Sequence, residues 1–128
     1  MADTNEFELV FEGISNRWKN AASQAEFAII CSPYISSPLA SEIIYRLDGT
    51  TAEIYTSCRV ENFINRSSSI ASLVDLAKKG HRIYSIENLH AKITIFSNTL
   101  ATLGSQNTTM RGMNNQEGNM VITHPDKV

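Results

Sequence analysis

The chain has 128 residues, 42% hydrophobic and 19% charged, with a net charge of −2. That length holds one domain over residues 1–128, and the composition is that of a folded chain, not a disordered one. The slight acidity excludes a long basic surface, so any contact with a polyanion must be local or supplied by another chain or domain.

The N-terminal run MADTNEFELVFEG is acidic and without a long apolar stretch, so no signal peptide is expected. No segment approaches bilayer-spanning length, which points to a cytoplasmic location and no membrane partner. Phe7, Val10, Phe11, Ile14 and Trp18 recur at helical spacing and predict a first helix, capped by Asp3 or Thr4 and weakened by Gly13. Trp18 is expected in the core. Glu26–Cys31 is a continuous apolar run, as for a strand buried on both faces. Ser37-Pro38 then starts a helix that Asp48-Gly49 closes.

Ala52–Cys58 reads as a second strand. Ile70, Leu73, Val74 and Ala77 predict a helix over Ser68–Lys79, with Gly80 just beyond its end. Arg82–Ile86, His90–Phe96, Leu100–Leu103 and Asn119–Thr123 read as further strands, with a tight turn at Asn98-Thr99. The order α-β-α-β-α-β-β-β-β predicts an α/β domain with a mixed sheet. The two cysteines, Cys31 and Cys58, fall in these expected strands and suit reduced core thiols. Neither has a Cys or His at metal-ligand spacing. His81 and His124 are expected at the surface or rim.

Between His90 and Glu117 the residue types change character. His90-Ala-Lys92 precedes a strand, Gly104-Ser105-Gln106-Asn107 follows one, and Asn114-Asn115-Gln116-Glu117 precedes the last. Alternation along a strand would point His90 and Lys92 to one face, where both can grip one phosphate. Cleavage of a phosphodiester without a metal needs a nucleophile, an acid for the leaving oxygen, and groups holding the non-bridging oxygens. A neutral imidazole can attack phosphorus, and a lysine beside it supplies charge. Ser105 and Asn107 add neutral donors. Glu117 can orient an imidazole and stabilise its cation. Gly104 suits a backbone that passes close to the ligand or makes a bulge. Taken singly, each of these is an ordinary strand-edge or turn residue; their register is what points to chemistry.

The pattern His90-x-Lys92, Gly104-Ser105-x-Asn107 and downstream Glu117 resembles the signature of the phospholipase D superfamily. The resemblance implies a layered α/β/α phospholipase D-like domain with a mixed sheet, one repeat per chain. It also implies His90 as nucleophile, Lys92, Ser105 and Asn107 as phosphate ligands, and Glu117 as the group holding the histidine. No cofactor is implied. Many members carry an aspartate five residues after the lysine, where this chain has Ser97. Met110-Arg111-Gly112-Met113 resembles the nuclease branch, and Arg111 becomes a candidate nucleic-acid contact. Arg59, Arg66, Lys78, Lys79 and Arg82 could track a nucleic-acid backbone, but most of them read as a solvated face.

The family's site uses two His-x-Lys motifs, and this chain has one. Completing it requires a homodimer with His90 facing His90 across a two-fold axis. The resemblance therefore implies a metal-independent DNA phosphodiesterase. By analogy it would be the cleavage module of a restriction-type nuclease, served by a separate DNA-recognition domain or subunit. The alternatives are a phospholipid phosphodiesterase or phosphatidyltransferase, and a silent dimerisation or phosphate-binding module.

Overall fold

The computed structural model describes residues 7–36, 39–47, 50–66, 68–104, 118–123, 125 and 128. Its elements run β1 (Phe7–Val10), α1 (Ile14–Ala22), β2 (Ala28–Cys31), α2 (Leu39–Arg46), β3 (Ala52–Thr56), α3 (Val60–Ile64), α4 (Ile70–Lys78), β4 (Arg82–Ser85), β5 (Ile93–Phe96), β6 (Leu100–Gly104) and β7 (Asn119–Ile122). Among the described residues the seven strands form one sheet in the order β1-β7-β6-β5-β2-β3-β4. The pairs β2–β3 and β3–β4 are parallel, and the remaining pairs are antiparallel. This is the α/β fold with a mixed sheet that the element order predicts.

Register decides which side chains meet. Ala28 pairs with Ala52 and Phe96, and Ile30 with Ile54 and Thr94, so one face of the sheet carries the small and branched residues of the core. Against that face pack Ile14, Trp18 and Ala22 of α1, Leu73 and Leu76 of α4, and Ile43 of α2 with Leu47 just beyond its end. Trp18 is almost wholly buried, and its Nε1–H donates to Thr102 Oγ1 at 2.9 Å, which satisfies the indole inside the core. The other face bears Leu103, Ile93, Cys31, Tyr55 and Tyr84 in successive register, and the two tyrosine rings stack at 5.0 Å.

Four sequence expectations are corrected. Residues 7–10 form an edge strand on β7, and helix α1 starts only at Ile14. Gly13 stands at φ 75°, a left-handed conformation that ends the strand and separates it from the helix. Phe7 and Phe11 mimic a helical stripe because Phe-Glu-Leu-Val alternates as well as it recurs. The strand expected from His90 begins only at Ile93, after a turn in which Leu89 N–H donates to the Ile86 carbonyl. Cys58 lies beyond the end of β3 and is exposed, while Cys31 is half-buried. His81 is buried, at 8% exposure, instead of at the rim; its Nδ1 accepts from Ala52 N–H at 2.9 Å. The short helix α3 had no sequence expectation. Asp3, Thr4, Ser37, Pro38, Asp48, Gly49 and His124 lie outside the described residues.

Helix α4 is built as its sequence suggests. Ser69 Oγ accepts from Ser72 N–H at its start. At its end Gly80 sits at φ 91°, with Gly80 N–H on the Ala77 carbonyl and His81 N–H on the Leu76 carbonyl. This pair of bonds is a Schellman closure, and it delivers His81 to the foot of β3.

Candidate active site

Strands β2, β3 and β4 run parallel, and the segments leaving their C-terminal ends converge with the segment that leads into β5. Between them lies an open cleft of about 310 Å³. Its walls are Pro33 and Tyr34 after β2, Ser57, Arg59, Glu61 and Asn62 after β3, and Glu87 to His90 with Lys92 before β5. The carboxyl ends of parallel strands are where α/β sheets commonly place ligands.

Short polar side chains hold this frame. The Pro33 carbonyl accepts from Thr56 Oγ1 at 3.2 Å and from Ser57 N–H at 3.3 Å. Asn62 Nδ2 donates to the Ser57 carbonyl, and Ser57 Oγ donates to the Glu87 carbonyl, each at 3.2 Å. Cys58 N–H is taken by Ser85 Oγ, and Ile35 N–H by Ser68 Oγ. Three separate connections are thereby tied to one another by backbone carbonyls and amides. The larger groups at the cleft are free to meet a ligand.

His90 and Lys92 both line this cleft. The sequence pairs them by strand alternation, but both stand in the segment that precedes the strand. His90 is exposed and Lys92 half-buried, and among the described residues neither side chain has a hydrogen bond or ion pair within the protein. An imidazole and an ammonium on one open, polar cleft can grip and attack an anionic ester. Arg59 adds a second permanent cation, with Glu61 and Glu87 as opposing carboxylates. The described residues contain no group of three or more His, Cys, Asp or Glu placed to hold a metal ion.

Ser105, Asn107, Arg111 and Glu117 lie outside the described residues. The residues that flank them are placed. Gly104 N–H donates to the Lys92 carbonyl at 3.2 Å, so the end of β6 lies beside the motif lysine. A Cβ on Gly104 would fall 2.1 Å from the Gly118 carbonyl oxygen and 2.7 Å from Asn119 Cα. Backbone passes against backbone there, whereas the sequence points to a close approach to a ligand or a bulge at Gly104.

Ser97 follows the far end of β5, away from the cleft. Its Oγ accepts from Glu26 N–H at 2.7 Å and its N–H donates to the Phe27 carbonyl at 2.9 Å. The side chain therefore anchors the segment that leads into β2. The departure from the family's aspartate touches that anchor and no group of the cleft.

In the sequence Arg59 is one of several cations that could track a nucleic-acid backbone or form a solvated face, and nothing there singles out Tyr34, Ser57 or Asn62. The available signal was positional: each follows a parallel strand at the end where His90 and Lys92 lie.

Comparisons with known proteins agree with this architecture. The chain resembles Nuc, a phospholipase D family member from Salmonella typhimurium, with a TM-score of 0.70 and 18% identity over 94% of this chain and 85% of that one. NucT from Helicobacter pylori gives 0.67 at 17%, over 94% and 87%. TrmBL2, an archaeal chromatin protein described with a novel mode of DNA binding, gives 0.63 at 17%, over 99% of this chain and 49% of that one. No curated protein matches the sequence. At these identities the likeness is one of fold. The sequence family described as "Cardiolipin synthase, PLD-like domain" matches residues 19–128. That span takes in the cleft, the motif and all but the first strand and the start of α1, and it makes the chain a member of the phospholipase D-like domain family.

Proposed function

We propose that the chain is a phosphodiesterase that cleaves DNA without a metal, through a phosphohistidine, at a site shared by two copies. The observation that carries this reading is that His90 and Lys92 open onto one cleft at the ends of the parallel strands. A nitrogen of the His90 imidazole bonds to phosphorus as the bond to the leaving oxygen breaks. The second copy's His90 gives that oxygen its proton. The same second imidazole then takes a proton from water, whose oxygen attacks phosphorus as the P–N bond breaks. Lys92, Ser105 and Asn107 hold the non-bridging oxygens through both steps, and Glu117 orients the imidazole. Arg111 contacts the nucleic acid.

The net charge of −2 suits a cleavage module brought to DNA by a separate recognition domain or subunit, as in a restriction-type nuclease, because such a module needs little affinity of its own. The setting of that reading is cytoplasmic. The DNA binding described for TrmBL2, on a similar fold, favours nucleic acid as substrate. A second reading, a phosphatidyltransferase or lipid phosphodiesterase, draws on the cardiolipin synthase description of the family. No helix among the described residues is long and apolar enough to cross a membrane.

The test is to incubate the protein with supercoiled plasmid in excess EDTA beside a His90→Ala control. Nicking by the wild type alone is expected. Cleavage abolished by EDTA sinks the mechanism, and activity on lipid vesicles alone selects the second reading. Loss of plasmid and bis-p-nitrophenyl phosphate hydrolysis together indicates a silent binding module. Light scattering across concentrations should show a dimer; a fully active monomer contradicts the shared site.

A further inference from the structure

We propose that Arg59 binds the phosphate next to the one under attack, so that the cleft favours a polynucleotide over an isolated diester. The inference rests on the phosphodiesterase reading above and adds a substrate-discriminating residue to it.

Three features of Arg59 support this role. Its backbone is fixed: the Arg59 carbonyl accepts from Asn62 N–H at 3.0 Å, and the preceding Cys58 N–H is held by Ser85 Oγ. The side chain thus projects from a defined point on the cleft that His90 and Lys92 also line. The guanidinium is not consumed inside the protein. Its side chain is 49% exposed, and its Nε stands 3.8 Å from Glu61 Oε2, a loose contact beyond hydrogen-bond length. Finally, the cleft, at about 310 Å³, is of the size that takes a small ligand, larger than one phosphate group needs.

Charge makes the point sharper. With a net charge of −2 the molecule has no general attraction for a polyanion. Among the described cleft residues the permanent cations are Lys92 and Arg59, and Lys92 serves the attacked phosphate. Arg59 reaches the same opening from the β3 side and can hold a second phosphate by paired N–H donors. Glu61 competes for that guanidinium, so Glu61 and the neighbouring phosphate are alternative partners of one group. Two substitutions should therefore act in opposite directions. Arg59→Gln weakens the grip on a chain of phosphates, and Glu61→Gln strengthens it.

The experiment compares three probes: bis-p-nitrophenyl phosphate, which has one phosphorus and no neighbour, a DNA dinucleotide, and an eight-residue DNA oligonucleotide. Arg59→Gln should raise KM for the oligonucleotide roughly tenfold. Its loss on the two single-phosphate probes should be several-fold smaller than its loss on the oligonucleotide. Glu61→Gln should lower the oligonucleotide KM, and Arg59→Lys should restore most of the loss. The salt dependence of oligonucleotide affinity should flatten by about one in log–log slope for Arg59→Gln.

Equal losses on all three probes would place Arg59 in the chemical step and overturn the proposal, as would no change on any. Fluorescence anisotropy of a labelled oligonucleotide reads the same contact without turnover. If wild type binds but cleaves nothing, the phosphodiesterase reading fails. The Arg59 contact then stands or falls on whether Arg59→Gln weakens that binding.

Discussion

The His81 imidazole accepts a hydrogen bond on Nδ1, which only an unprotonated nitrogen can do. Burial pushes its pKa below the ordinary 6.5, and the nearby Lys79 ammonium adds to that. The folded state thus binds the proton less readily than the unfolded chain. The contribution of His81 to stability is whole above pH 6.5 and is lost as pH falls from there toward the lower folded value. The urea midpoint of the wild type should drop between pH 7.5 and 5.5, and His81→Phe should remove a part of that slope. The same variant should be less stable at pH 7.5 by about 1–3 kcal/mol, since Ala52 N–H loses its acceptor. An unchanged slope in His81→Phe would show that other groups carry the pH dependence. None of this is legible in the sequence, where His81 is a polar residue after a helix-ending glycine. Its burial follows from the Schellman turn, which carries the chain back under the sheet.

At the scale of elements, β5 separates two duties. Its N-terminal approach presents His90 and Lys92 to the cleft, and its C-terminal end hands over to Ser97, which anchors the lead into β2. Ser97 stands at φ 51°, a conformation that residues with short polar side chains accept more readily than most. Ser97→Ala leaves Glu26 N–H without its acceptor and should cost about 1–3 kcal/mol in denaturant unfolding. Turnover per folded molecule should be unchanged; a fall in kcat with stability intact would mean that Ser97 reaches the chemistry. The motif's departure at this position is visible in the sequence, but its meaning is not, because linear proximity to Lys92 hides the length of the strand between them. For the same reason the sequence points to a helix where β1 forms. Phe7-Glu-Leu-Val fits both periods, and only pairing with β7 chooses between them. Helix α3 is a single short stretch whose signal no periodicity could carry. The strongly patterned elements, β2, β3, α4 and β6, lie where their patterns put them, to within a few residues at their ends.

Across the whole molecule, one sheet gathers segments distant in sequence to a single end. Residues 33–34, 57–62, 87–92, Gly104 and Gly118 meet there, although up to 85 positions separate the first from the last. The pairing of His90 with Lys92 could be read from spacing alone. The company of Arg59, Tyr34 and Asn62 could not, because it depends on strand order, which places β5 beside β2 and not beside β4. The contact between Gly104 and Gly118 has a consequence for how this chain can vary. A library randomised at position 104 and screened for plasmid nicking should return glycine almost alone, since a methyl group there would overlap the Gly118 carbonyl oxygen. Gly104 contributes no reacting atom, yet it tolerates substitution as poorly as a nucleophile would. The invariance of such a position would record the thickness of two peptide planes and nothing of the reaction itself.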